Sequence, residues 1–140
     1  METIFYYIYS KKLMEKEKNK LAVQILRLGA FLEREGNRIV KEYNINQQQF
    51  LVLRYIQKNQ PVCQRDICLN LMYEKSNISK IIKKLKKLRM IRKKYKKGDK
   101  RYTMLECTES GKTVISACIE RFSRYNTEWL KQVSEQDAAV

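Results

Sequence analysis

The chain has 140 residues, enough for one domain or two closely joined parts, and its net charge is +15, from 30 Lys and Arg against 15 Asp and Glu. A hydrophobic content of 44% excludes wholesale disorder, and the presence of only four Gly and one Pro excludes a turn-rich all-β fold. No apolar run is long enough to cross a membrane as a helix.

The residue types needed for catalysis or metal binding are scarce. The chain has no His, and its four cysteines (63, 68, 107 and 118) have no C-x-x-C spacing, so neither a zinc site nor a His base is expected. A phosphate-binding Gly loop and clustered carboxylates are also lacking, which argues against an enzyme and implies no metal or cofactor. Without a signal peptide, we expect a cytoplasmic protein with reduced thiols.

The first predicted element is a long amphipathic helix from about Lys11 to Glu42. Its apolar stripe recurs every three or four residues and consists of Leu21, Ile25, Leu28, Leu32, Gly36, Ile39 and Tyr43. A helix of this length cannot lie on so small a core, so we expect it to reach a second subunit. Residues 1–13 are either an arm that packs on that subunit or an extension before a natural start at Met14, and the sequence leaves both readings open.

Two shorter helices should follow. Asn46 and Gln49 have the spacing of a capping box, which predicts a second helix that ends near Pro61. A short helix is then expected from about Gln64 to Leu71, followed by a turn at residues 72–74.

The next helix is strongly basic. Residues 75–101 contain 14 Lys or Arg and one acid, Asp99, and so supply +13 of the net charge. Within the helix, which should end near Arg89, a stripe at helical spacing predicts one buried face, made of Ile78, Ile81, Ile82, Leu85 and Leu88. The lysines between these residues must point outward, so we expect a folded helix with a cationic face that binds nucleic acid. Two short helices and a tight turn, with the second helix basic, are typical of a helix-turn-helix.

A hairpin and a last helix complete the chain. Strands are predicted at 91–95 and 102–107 around a polar turn at 96–101, as the only β-structure. Thr108 is positioned to cap a long helix. The apolar face predicted for that helix is Val114, Ile115, Cys118, Ile119, Phe122, Tyr125, Trp129 and Val133.

This order of parts resembles the MarR family of transcriptional regulators, which are winged helix-turn-helix dimers. The resemblance runs from about Ile45 to Lys112 and is carried by 45–53, by 77–85, and by Asp99-Lys100-Arg101 followed by Leu105 and Thr108-Glu109-Ser110-Gly111-Lys112. It implies a mainly α fold with a small β-hairpin wing. The implied parts are an N-terminal dimerisation helix (1–45), a winged helix-turn-helix (46–108) and a C-terminal dimerisation helix (109–140).

The chain departs from the family at three places. Asn46 stands where Thr is usual, but both residues cap a helix well. Cys63 replaces a capping Ser or Thr. Met90 stands where Gly often follows the basic helix, so we expect a different helix exit there.

The candidate DNA-binding residues follow from these parts. On the basic helix they are the exposed residues nearest its N-terminus, where such helices meet base edges: Ser76, Asn77, Ser79, Lys80, Lys83 and Lys84. Asn77 can bond adenine and Lys80 can reach guanine, whereas Lys83, Lys84 and Lys87 suit phosphates. The resemblance further implies that Arg101 enters the minor groove and that Asp99 orients it, with Lys97 and Lys100 on phosphates.

These features favour a homodimeric, sequence-specific repressor that binds double-stranded DNA at an inverted repeat. The resemblance adds a small-molecule effector that releases the DNA. The alternative is a nonspecific coating or architectural protein, which the net charge favours and the polar side chains of Ser76, Asn77 and Ser79 disfavour. Cys63, at a helix N-terminus, is a separate candidate for redox sensing. A membrane is not expected as a partner, because the apolar face of the basic helix is committed to the core.

Overall fold

A computed structural model describes the backbone of residues 2–96, 99–131 and 134, and the side chains of residues 11, 13–95, 103–131 and 134. The elements, in order, are α1 (Glu2–Val40), a 3-10 turn (Lys41–Tyr43), α2 (Gln47–Asn59), β1 (Val62–Cys63), α3 (Gln64–Leu71), α4 (Lys75–Lys87), β2 (Ile91–Lys96), β3 (Asp99–Cys107) and α5 (Glu109–Trp129). The mainly helical fold class with a small wing is therefore confirmed. None of the helices, within the described ranges, is long and apolar enough to span a membrane.

The chain divides into two compact units, residues 1–35 and residues 36–140. The first unit is a single helix, and it forms most of α1. This helix begins at Glu2, earlier than the predicted Lys11, and it ends at Val40, where a 3-10 turn replaces the last predicted residues. The predicted stripe is covered along only part of its length. Leu21, Ile25 and Leu28 are exposed, whereas the residues that follow them in the stripe are buried or half-buried, namely Leu32, Gly36, Ile39 and Tyr43. The exposed apolar residues of α1 are Leu13, Met14, Leu21, Val23, Ile25, Leu26 and Leu28.

The second unit begins its core at α2, whose start agrees with the prediction. The Asn46 side chain accepts a hydrogen bond from the Gln49 N–H at 2.8 Å, and the Gln49 side chain accepts from the Asn46 N–H at 3.0 Å. This reciprocal pair satisfies two backbone donors that a helix start leaves without partners. The predicted capping box is confirmed.

Helices α3 and α4 form the helix-turn-helix. The bounds of α3 agree with the prediction, and α4 ends at Lys87, two residues before the predicted end. The predicted apolar stripe of α4 is buried, with Ile78 and Leu85 fully inaccessible and Leu88 half-buried. Burying these side chains is the main favourable contribution that fixes the rotation of α4 about its own axis.

The sheet contains one strand more than the sequence predicted. Its order is β1-β3-β2, all antiparallel, so the predicted hairpin of β2 and β3 is present and β1 adds to its other edge. Val62 pairs with Leu105 and Cys63 with Met104. A strand of two residues is too short to show an alternating pattern, and for this reason the expectation of a hairpin alone was wrong.

The exit of α4 also differs from expectation. The left-handed residue is Arg89, with a φ of 56°, and the following Met90 is buried. The Arg89 N–H bonds the Lys86 carbonyl and the Met90 N–H bonds the Leu85 carbonyl, at 2.9 and 3.0 Å, which is the pattern of a Schellman motif. The helix thus ends by an ordinary route at the cost of a left-handed Arg, and Met90 was wrongly identified as the residue that replaces Gly.

Thr108 joins the start of α5 to this exit. Its hydroxyl accepts from the Gly111 N–H at 3.1 Å and donates to the Arg89 carbonyl at 2.7 Å, while its own N–H donates to the Met90 carbonyl at 3.0 Å. The predicted cap is confirmed, and it holds α4 as well as α5. Of the predicted apolar face of α5, Val114, Ile115 and Cys118 are buried, Ile119 and Trp129 are exposed, and Val133 lies outside the described residues.

Gly111 permits this close packing, because a β-carbon there would overlap the Met90 carbonyl oxygen and approach Cys107 Sγ to 2.7 Å. We predict that Gly111→Ala lowers the free energy of unfolding by about 2 kcal/mol, since neither the backbone carbonyl nor the buried thiol can move freely. Urea unfolding followed by circular dichroism measures this change.

The matched control is Gly29→Ala. A β-carbon at Gly29 would meet nothing within 4 Å, and Ala is favoured over Gly in a helix. This variant should be no less stable than the parent. Equal stability of the two variants would contradict the role given to Gly111.

Candidate nucleic-acid interface

Helix α4 presents one face of positive charge. Helical geometry at 100° per residue puts Ser76, Lys80, Lys83 and Lys87 directly opposite the buried stripe, and all four are exposed. Asn77 and Lys84 lie on one flank and are half-buried, and Ser79 lies on the other flank. All six residues predicted for the recognition helix are therefore accessible to some degree, and they fall into a central row and two flanks.

The lysines of α4 have no acidic partners among the described side chains, where every ion pair found involves other basic residues. The helix itself contains no acid. Its cationic charge is therefore not neutralised internally by the described residues, and an external polyanion would gain the full attraction.

Asn77 is held by the N-terminal turn of α2. Its side-chain amide donates to Gln48 Oε1 at 3.3 Å. The Asn77 amide, which the sequence suggested as an adenine reader, therefore already has a protein partner for one of its two N–H donors. Its contact with DNA remains a prediction.

Ser79 is held by the first residue of α3. The amide of Gln64 donates to Ser79 Oγ at 2.6 Å, and the Ser79 hydroxyl donates to the Lys75 carbonyl at 2.9 Å. Gln48 and Gln64 were not predicted from the sequence as partners of α4, because neither belongs to a periodic pattern or a charge run. The only signal was that both lie in the first turn of helices that should pack near α4.

The wing has one well-defined ionic cluster at its base. Glu106 on β3 bonds Lys94 Nζ at 2.5 Å and Arg92 Nη2 at 3.3 Å, both on β2. The hydrogen bond from Lys94 is the main reason that the pKa of Glu106 lies below its ordinary value. Two of the wing's positive charges are thus shared with an acid, unlike those of α4.

The predicted wing-tip residues cannot be placed in the same way. Lys97 and the side chains of Asp99, Lys100 and Arg101 lie outside the described residues. The backbone of the last three belongs to β3, and Asp99 pairs with Lys96. The ion pair between Asp99 and Arg101 therefore stays a prediction.

The cysteines differ in their surroundings. Cys63 precedes α3 without capping it, and its thiol donates to Asp66 Oδ2 at 3.1 Å. Reactive thiols usually sit beside cationic groups, whereas this neighbour is an acid. Burial raises the pKa of Cys107 and raises that of Cys118 to about 11, so these two behave as core residues. Among the described side chains, no group of three potential ligands could hold a metal ion.

The chain is similar to a family of DNA-binding domains and to several solved structures. Residues 45–111 match the family of winged helix DNA-binding domains. A putative MarR-family transcriptional regulator from Listeria monocytogenes, solved with a 26-mer DNA, shares 28% identity at a TM-score of 0.75, covering 84% of this chain and 78% of that one.

Two Staphylococcus aureus structures are also similar. The MepR–DNA complex shares 16% identity at a TM-score of 0.72, covering 84% of this chain and 85% of that one. MarR in complex with salicylate and kanamycin shares 23% identity at a TM-score of 0.75, covering 90% and 83%. No curated protein matches the sequence.

The ion pairs of Glu106 make a prediction about pH. A carboxyl with a lowered pKa adds stability at neutral pH, and this stability is lost as the pH falls from the ordinary value of about 4.3 through the folded value. We predict that Glu106→Gln is less stable than the parent at pH 7 and that the difference shrinks by pH 3. Urea unfolding at both pH values measures it.

Glu120→Gln is a suitable control, because it removes an acid whose ion pair with Arg124 is exposed on both sides. It should change stability at pH 7 by less than Glu106→Gln does. A constant difference between Glu106→Gln and the parent from pH 7 to pH 3 would exclude the proposed ionic origin.

Proposed function

We propose that this chain is a sequence-specific regulator which binds double-stranded DNA as a homodimer in the cytoplasm. Its winged helix fold and its similarity to structures of MarR-family transcriptional regulators support this proposal. The observation that carries the proposal is the outward row of α4, a set of lysines on a rigid helix with no acidic partner among the described residues. A helix about 10–12 Å across fits the major groove, which is about 12 Å wide.

A second subunit is supported by the exposed apolar side chains of α1. Leu21 and Ile25 are each 61% exposed and Leu28 is 48% exposed, although their spacing is that of a buried stripe. Such a surface is typical of a helix that packs against another protein chain. A dimer with twofold symmetry would present two α4 helices, so its operator would be an inverted repeat with half-sites about one helical turn apart.

The decisive experiment is selection of bound duplexes from a random DNA pool at about 150 mM salt, where nonspecific binding is suppressed. An enriched inverted repeat is the expected result. Recovery of DNA without any enriched sequence would instead favour a nonspecific coating protein, which the net charge of +15 makes the second candidate.

Repression is the proposed direction of regulation. A dimer bound over a promoter would exclude RNA polymerase, so transcription in vitro from a template with the selected operator should fall as protein is added. Release by a small molecule is a further part of the proposal, supported by the similar MarR structure that contains salicylate. Aromatic acids titrated into the complex of the protein with fluorescent operator DNA test whether the DNA is released.

The dimer gives the first prediction. Replacing both Leu21 and Leu28 by Glu should yield a monomer, because four charges would enter the interface between two α1 helices. Analytical ultracentrifugation measures the mass. Asn19→Glu with Gln24→Glu adds the same charges at exposed polar positions of the same helix and should leave the dimer intact. A parent protein that is itself monomeric would contradict the proposal.

The outward lysines of α4 give the second prediction of the proposed function. If Lys87 of each subunit contacts one DNA phosphate, then Lys87→Ala removes two contacts per dimer. The slope of log affinity against log salt concentration should become less negative by about 1.8, at about 0.9 per phosphate. Lys131→Ala removes a charge just beyond the end of α5, where Lys131 pairs with Glu128, and should leave the slope unchanged. Identical slopes for Lys87→Ala and the parent would rule out this contact.

The wing gives the third. If Arg101 enters the minor groove beside the site read by α4, then Arg101→Ala should weaken operator binding by about tenfold or more. Arg101→Lys keeps the charge and should recover only part of the loss, because Lys enters a narrow groove less readily. Gel-shift titration of the selected operator measures both variants, and unchanged affinity in Arg101→Ala would refute the wing assignment.

A further inference from the structure

The central row of α4 carries mainly one kind of hydrogen-bonding group. Lys80, Lys83 and Lys87 have only donors, and Ser76 is the one residue of the row that can also accept. The row has no apolar side chain that could contact a thymine methyl and no amide that could pair with adenine. Its chemistry suits a base edge made of acceptors.

The two flanks could have widened this chemistry, but glutamines from the neighbouring helices occupy them. Gln48 accepts from one of the two N–H donors of the Asn77 amide, which fixes the orientation of the group that would donate to adenine N7. Gln64 donates to Ser79 Oγ while the Ser79 hydroxyl donates to Lys75, so this hydroxyl uses its one hydrogen and one lone pair within the protein.

We propose that Gln48 and Gln64 are positioning residues that hold Asn77 and Ser79 in contacts within the protein, so that Lys80 and Lys83 read guanine in each half-site. This replaces the adenine-reading role that the sequence suggested for Asn77 and the phosphate role that it suggested for Lys83. Guanine presents two acceptors, O6 and N7, in the major groove, and lysine is suited to both. This inference rests on the proposed function and specifies the DNA sequence that the same surface recognises.

The spacing along the helix specifies the number of guanines. Lys80 and Lys83 are three residues apart, which is about 4.5 Å of helix rise, and successive base pairs are about 3.4 Å apart. The two ammonium groups can therefore meet adjacent base pairs. Lys87 lies a further six ångströms or so along the axis, which is more suitable for a phosphate at the edge of the groove.

The first test compares selected sequences for the parent and three alanine variants. The parent should enrich guanines at two adjacent base pairs of each half-site. Lys80→Ala and Lys83→Ala should each lose the preference at one of these two. Lys86→Ala removes the same charge beside the central row and should lower affinity without altering the preference. An inverted repeat without guanines sensitive to Lys80 or Lys83 would overturn this inference and leave the proposed function intact, whereas no enriched repeat would contradict the proposed function itself.

A chemical substitution in the DNA tests the contact atom. Operators in which 7-deazaguanine replaces one of these guanines lack N7, so the parent should bind them about tenfold more weakly. The variant that lacks the lysine reading that base should bind both operators equally. An equal loss for the parent and the variant would show that the lysine does not contact N7.

The positioning role has its own test in a double-mutant cycle. Asn77→Ala alone should leave the sequence preference unchanged, because Asn77 is held by Gln48. Gln48→Met is close in shape but cannot accept the amide, so it should create an adenine preference that disappears when Asn77→Ala is added. A preference altered by Asn77→Ala alone, or one unaltered by Gln48→Met in a variant with parental circular dichroism, would overturn the role of Gln48.

Discussion

The fold of the winged helix depends on the junction at Thr108. One residue caps α5 with its hydroxyl, uses the same hydroxyl to hold the Arg89 carbonyl, and uses its backbone N–H to hold the Met90 carbonyl. These two carbonyls belong to the exit of α4, and β2 begins directly after them. The end of α4, the base of the wing and the start of α5 are therefore fixed to one another by a few hydrogen bonds. At position 111 glycine is the residue type that allows α5 to come this near to the Met90 carbonyl.

Because of this junction, most of the outward face of α4 can consist of lysines. Its inward face is secured by four buried aliphatic side chains, its first two turns by Gln48 and Gln64, and its end by Thr108. The lysines therefore need no acidic neighbours to keep the helix in place. The wing differs in this respect, since Glu106 sits between Arg92 and Lys94. The two basic parts of the unit thus differ in their electrostatics: the charge of α4 is not neutralised by the described residues, whereas that of the wing is neutralised in part.

Much of this arrangement could be predicted from the sequence, because it rests on local rules. The capping box at Asn46, the bounds of α3 and the buried stripe of α4 each follow from spacing within a dozen residues. The parts that were missed depend on residues far apart in the chain. Strand β1 exists because Val62 meets Leu105, and Asn77 of α4 is held by Gln48, which lies 29 residues before it. The left-handed Arg89 was missed because the conformation that normally calls for Gly is imposed there by the packing of Met90.

The row of lysines on α4 also has a consequence for the protein in the absence of DNA. Like charges held one helical turn apart repel each other, and unfolding lets them separate, so the folded unit carries a self-repulsion that the unfolded chain largely escapes. Added salt screens this repulsion and favours the folded state, while on the proposed function the same salt competes with the protein for DNA phosphates. Ionic strength therefore acts in opposite directions on folding and on binding. On the proposed function, the free protein is less stable in dilute buffers, where its affinity for DNA is highest, and the bound DNA supplies the counterions that α4 lacks.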